Sequence, residues 1–183
     1  MAHSPWGTIQ ESETIEPGVR WVSTPGHGGL MVSLPKAYRR LSDFAWGIGE
    51  RYGDYLAFEE DVAYAAVYRD VPAWARKDLE KRYGNRRAEE LLALTDAEMA
   101  DEFYRKTIVP YYPLERYVAM EQHGKEKRHA YEVQEKMKVG DVIRLAPSLG
   151  MGPLRIQSLK PLRLIGADGT LYAARKRDVW DWA

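Results

Sequence analysis

His27 sits among glycines in the run Thr24-Pro25-Gly26-His27-Gly28-Gly29. An imidazole on so bare a stretch of backbone can be approached closely and can exchange a proton near neutral pH. Further along, Glu59-Glu60-Asp61 stand directly before the apolar run Val62-Ala63-Tyr64-Ala65-Ala66-Val67. A carboxylate brought against His27 would orient it as a base, or would share a divalent cation with it. His27, Glu59, Glu60 and Asp61 are therefore the catalytic candidates for a small hydrolase or metal-assisted enzyme. A plainer reading is preferred for each. The glycines serve a turn, and His27 then makes one structural hydrogen bond. Acids in a helix's first turn are favoured by its macrodipole, by about 0.3–1 kcal/mol each, whatever the protein does. Consecutive helical residues also point in different directions, so at most two of the acids could face one site.

Other chemistry-bearing residues give less. His123 and His129 are six positions apart, which on a helix turns the second imidazole well away from the first. No P-loop, dinucleotide glycine fingerprint, HExxH or GxSxG occurs. Without cysteine there is no disulfide framework, thiolate zinc site or cysteine nucleophile. No cofactor and no metal is expected.

Two further groups of residues could make contacts. The basic set Arg144, Arg155, Lys160, Arg163, Arg175, Lys176 and Arg177 lies near Tyr172, Trp180 and Trp182, a combination that can bind phosphates and stack on bases. From Lys138 onward eight basic and four acidic residues give a net charge of +4, against −4 for residues 1–137. Nucleic acid is thus a possible partner of the C-terminal part, although a one-sided sheet carries the same arginines on its polar face. The second group is Tyr111-Tyr112 between Pro110 and Pro113, the segment best suited to an exposed aromatic anchor. The chain is rich in such residues, with 6 Trp and 12 Tyr against 3 Phe. Tyr and Trp, with apolar bodies and polar tips, suit interfaces as well as cores.

The elements that must position these residues fall into three stretches. Residues 6–34 alternate short β-prone runs with turns at Pro17-Gly18 and at Pro25-Gly26-His27-Gly28-Gly29, where glycines can take positive φ. From Pro35 the periodicity is helical. Tyr38, Leu41 and Ala45 share one face, Trp46 to Gly53 interrupts, and a buried helix is expected to start near Glu59. Further helices are expected over Pro72–Tyr83, Arg86–Ala93 and from Thr95, where Thr95 and Glu98 fit a capping box. Another opens at Leu114, Tyr117 and Val118, and His123 to Lys138 reads as an exposed helix or connector. After Gly140 four short β runs, 141–145, 154–156, 162–165 and 170–173, carry a hairpin turn at Ala167-Asp168-Gly169. They suggest a three- or four-stranded sheet or small SH3-like barrel, closed by Trp180 and Trp182.

The fold class is therefore α+β: a small N-terminal antiparallel sheet, a helical middle and a small C-terminal antiparallel sheet. The expected domains are 1–137 and 138–183. No run approaches the ~20 apolar residues of a membrane span, and the first residues lack the features of a signal peptide. A reducing, cytoplasmic location and no membrane partner are expected.

Pro5-Trp6-Gly7, the turn through His27-Gly28-Gly29 with its following β run, and the stretch from Tyr55 to Val67 together resemble an uncharacterised family encoded by phages, plasmids and other bacterial mobile elements. That family pairs an HGG turn with an EED-containing apolar helix. The likeness extends over residues 5–70. Here Gly26 precedes His27 where the family has serine or a similar residue, and Val62 follows Asp61 where cysteine is common. The resemblance implies a bacterial or viral origin and a spatial cluster of His27 with Glu59, Glu60 and Asp61. Small proteins of such elements commonly bind a host factor. The leading expectation is thus a binder of a host protein or ribonucleoprotein complex, such as an anti-CRISPR-like, anti-defence protein.

Overall fold

The computed structural model describes residues 2–81 and 84–183, which divide into unit 1 (1–124) and unit 2 (125–183). Unit 1 opens with a two-residue ladder, β1 (His3–Ser4) on β2 (Gly7–Thr8). Next come β3 (Glu11–Glu16), β4 (Val19–Ser23), β5 (Gly28–Ser33), α1 (Leu34–Arg40), α2 (Asp43–Ile48), β6 (Glu50–Tyr52) and β7 (Tyr55–Glu59). The five longer strands form an antiparallel sheet in the order β3-β4-β5-β7-β6. Its middle strands are covered on both faces, so they read as apolar runs without polar alternation. Leu30, Val32, Leu56 and Phe58 are buried, and Val22, Met31 and Ala57 form a second cluster against Trp6 and Ile9.

Four short helices follow: α3 (Tyr64–Asp70), α4 (Pro72–Glu80), α5 (Arg86–Leu92) and α6 (Asp96–Phe103). Proline opens α1 and α4, where its missing N–H costs nothing. Thr95 and Glu98 close the expected capping box of α6, and Met99 and Phe103 are buried together. The expected helix over Pro72–Tyr83 ends at Glu80, and Tyr83 lies outside the described residues. α6 continues into a π-helical turn, Tyr104–Ile108, closed by the Val109 N–H donating to the Tyr104 carbonyl at 2.9 Å.

The 23-residue α7 (Leu114–Lys136) contains the division between the units. The sequence places the boundary at 137/138, whereas the compact units divide after Gly124. The difference has a packing cause. His123 to Lys138 is not an exposed connector, because Val133 and Met137 enter the core of unit 2 and the buried Gln134 amide donates to the Val179 carbonyl at 2.8 Å. Unit 2 holds β8 (Val142–Leu145), β9 (Leu154–Leu159), β10 (Leu162–Ile165), β11 (Leu171–Ala173) and β12 (Val179–Trp182). They form an open antiparallel sheet ordered β11-β10-β9-β8-β12, so Trp180 and Trp182 lie on an edge strand and do not close a barrel. Ile143, Leu145, Ile156 and Leu164 are buried, while the intervening Arg144, Arg155 and Arg163 are exposed.

Two expectations near His27 are corrected. Trp46 to Gly53 does not merely interrupt the helices; it finishes α2 and supplies β6. Glu59 does not start a helix: it ends β7, and α3 begins only at Tyr64. Leu56, Ala57 and Phe58 are all buried within the sheet, which hides the period-2 signature of a strand. The turns at Gly18 (φ +81°) and Gly169 (φ +82°) use the left-handed backbone that the sequence suggests. Of the glycines around His27, Gly29 takes a positive φ (+156°), whereas Gly26 and Gly28 do not. Among the described residues, no helix is long and apolar enough to cross a membrane.

Candidate functional site

β4 and β5 pair from Val19↔Val32 to Ser23↔Gly28, leaving Thr24-Pro25-Gly26-His27 as the hairpin loop. Thr24 clamps it: its N–H and hydroxyl donate to the His27 carbonyl at 2.8 and 2.6 Å, and the His27 N–H donates to its hydroxyl at 3.2 Å. With the backbone so held, the imidazole points outward and is 64% exposed. On the other side of β5, the pairing Gly29↔Glu59 brings the end of β7 alongside, and the Glu60 N–H donates to the Gly28 carbonyl at 3.1 Å. Glu60 Oε1 then lies 4.0 Å from His27 Nδ1. This is ion-pair range when the ring is protonated and too long for a hydrogen bond.

The glycines beside His27 are needed for room. A Cβ at Gly28 would stand 2.7 Å from the Val22 carbonyl oxygen and 3.0 Å from Glu60 Oε2; one at Gly29 would stand 2.1 Å from the Phe58 carbonyl oxygen and 2.8 Å from the Trp6 ring. Bare backbone at these two positions lets β7 and its acids approach the loop. One nitrogen of His27 and one carboxylate oxygen from each of Glu59 and Glu60 lie within 4.8 Å of one another. Asp61 stays outside this set; its exposed side chain follows a backbone N–H that donates to Glu59 Oε2 at 2.9 Å. Because Glu59 ends β7 and Glu60 and Asp61 lie in the turn after it, ahead of α3, the acids are not in the first turn of a helix.

Glu60 also reaches a cleft of about 440 Å³ that the sequence does not suggest. Trp21, Tyr64, Tyr68 and Phe103 line it, in edge-to-face contacts of 5.4 to 6.2 Å between ring centroids. Asp78, Arg87 and Glu102 add charge, and Arg87 donates to Glu102 at 2.7 Å. The only sequence signal is the abundance of aromatics, since the walls come from distant segments.

Tyr111 and Tyr112 part company. Tyr112 is half-buried, edge-on to Phe44 at 5.3 Å and under the Arg116 guanidinium at 4.7 Å. Tyr111 is 57% exposed, and Val109, Leu114 (78%) and Val118 (51%) are exposed in the same stretch of chain. The sequence reading missed Leu114 and Val118 because their spacing matches a buried helical face. In unit 2 the basic set is outward but partly committed. Arg175 donates to Asp178, Lys176 to Glu135 at 2.6 Å and Arg155 to the Gly140 carbonyl at 2.8 Å; Arg144 lies opposite Asp181, and Trp180 is half-buried. Arg163 and Arg177 remain exposed.

A model of the family described as a domain of unknown function, DUF7007, matches residues 1–138. The chain belongs to this family. The DUF7007 match takes in the whole of unit 1, hence His27, Glu59, Glu60, Asp61 and the Tyr111–Val118 stretch, and leaves the C-terminal sheet outside. The DUF7007 description carries no activity. No curated protein and no solved structure is detectably similar to the chain.

Proposed function

We propose that this DUF7007 protein is a binding protein that docks a partner protein through Tyr111, Leu114 and Val118. The exposure of these three side chains on one short stretch carries the reading. Contiguous exposed apolar residues mark interaction surfaces, and a helix offering residues at i and i+4 suits an apolar groove. Together with the resemblance to phage and mobile-element proteins, this favours a host protein or ribonucleoprotein complex as the partner and an anti-defence role in a bacterial cytoplasm.

A photo-reactive amino acid placed at position 114 tests this in a bacterial lysate, with position 52, another exposed site, as control. One heteromeric adduct specific to position 114 is expected. Adducts only between copies of the chain, or equal adducts from both positions, sink the reading.

The 4.0 Å approach of Glu60 to His27, beside an aromatic-lined cleft, favours a second reading, a small hydrolase or metal-assisted enzyme. Steady turnover of ester or phosphodiester probes that His27→Ala abolishes would support it, and equal turnover by His27→Ala would dismiss it.

A further inference from the structure

We propose that His27, Glu59 and Glu60 form a binding site for one divalent first-row transition-metal ion. The inference stands apart from the partner-docking reading. It rests on the same cluster as the enzyme reading without requiring turnover. Three potential ligand atoms, one per residue, lie within 4.8 Å of one another. Around an ion bound at ~2.0–2.2 Å, neighbouring ligands stand roughly 3–3.5 Å apart, so closure asks each side chain to move inward by roughly 1 Å. The exposed His27 and the half-buried Glu59 and Glu60 make that adjustment by small torsions, provided that the backbone beneath them is fixed.

It is fixed at all three positions. Glu59 is paired with Gly29 in the β5–β7 ladder, the Glu60 N–H is tied to the Gly28 carbonyl, and both backbone groups of His27 are tied to Thr24. Glu59 Oε2 accepts the Asp61 N–H at 2.9 Å, which orients that carboxylate and leaves Oε1 for an ion. The missing Cβ of Gly28 gives Glu60 Oε2 its space, since an added Cβ would stand 3.0 Å away.

Ligand chemistry sets the ion class. Two carboxylates offset a 2+ charge, and the neutral imidazole favours zinc, cobalt or nickel over magnesium and calcium, which prefer oxygen alone. Three protein ligands leave coordination positions for water, as in open metal sites.

Calorimetric titration of the full chain with Zn²⁺, paired with the visible absorption of added Co²⁺, tests the site. The wild-type chain is expected to bind one ion with a Co²⁺ band of nitrogen and oxygen ligation. His27→Ala and the isosteric pair Glu59→Gln with Glu60→Gln are expected to weaken binding at least tenfold with unchanged thermal midpoints. His129→Ala removes a competing imidazole, 2.8 Å from Asp181, and is expected to leave binding unchanged. No binding by the wild-type chain overturns the proposal. So does unchanged affinity in both cluster variants, or a loss seen with His129→Ala instead.

Discussion

His27 Nδ1 and Glu60 Oε1 face each other across 4.0 Å at the end of one hairpin, and it is the β5–β7 ladder that brings them together. Their side chains contribute little to the fold. His27 is 64% exposed and Glu60, at 37%, is half-buried at the edge of the cleft, while the loop is held by Thr24 through the His27 backbone.

Stability and site are therefore separable here. His27→Ala is expected to change unfolding free energy by no more than about 0.5 kcal/mol in urea denaturation. Gly28→Ala puts a methyl 2.7 Å from a backbone carbonyl and is expected to cost about 1–3 kcal/mol. The reverse ranking would mean that the imidazole is a structural group.

The sequence shows some of this arrangement well and hides the rest. Turn glycines at 18 and 169, the Thr95–Glu98 box and the alternating strands of unit 2 are local signals, and local hydrogen bonds or a one-sided sheet produce them directly. β7 was obscured because Leu56-Ala57-Phe58 is buried on both faces and stands beside acids that mimic a helix start. His27 and the glutamates were visible as residue types. Their meeting depends on the Gly29↔Glu59 register, a pairing thirty residues apart in the chain. The aromatic cleft was illegible for the same reason, its rings coming from β4, α3 and α6. Tyr111 and Tyr112 were equivalent in sequence until Phe44 and Arg116 claimed the second ring.

Glu16 gives unit 1 a pH dependence. Its carboxylate accepts from the Lys36 and Lys77 ammonium groups and from the Trp74 indole N–H, and these bonds, that from Lys36 foremost, bring its pKa down from 4.5 to about 2. The folded state favours the charged form, so this contribution is fully present above pH 4.5 and is lost as the pH falls toward about 2. Because the cluster is partly exposed, it is worth about 1 kcal/mol. Urea midpoints of wild type and Glu16→Gln are expected to differ at pH 7 and to converge as the pH is lowered. A constant gap down to about pH 2.5, near the lower end of the affected range, would show that the ion pairs contribute nothing.

Helices α2 and α7 approach too closely for any side chain at two glycines. A Cβ on Gly124 would stand 1.6 Å from the Asp43 carbonyl oxygen, and one on Gly47 would stand 1.9 Å from that of Met120. Both obstacles are backbone, so no rotamer change relieves them. Gly124→Ala is expected to cost about 3 kcal/mol, which lowers the melting midpoint by roughly 6–12 °C in a chain of this size. Gly152→Ala, with open space around its Cα, is the control and is expected to leave the midpoint unchanged.

Partner docking through the Tyr111–Val118 stretch is tested most directly by quantitative capture from a bacterial lysate with wild type and the Leu114→Asp, Val118→Asp double variant side by side. Both positions are exposed, so the two proteins are expected to melt at the same temperature. The wild type is expected to retain one partner in equimolar amount, and the variant less than about a tenth of it, the loss that follows when two central apolar anchors are replaced by charge. Equal recovery of the same partner by both proteins would contradict the account.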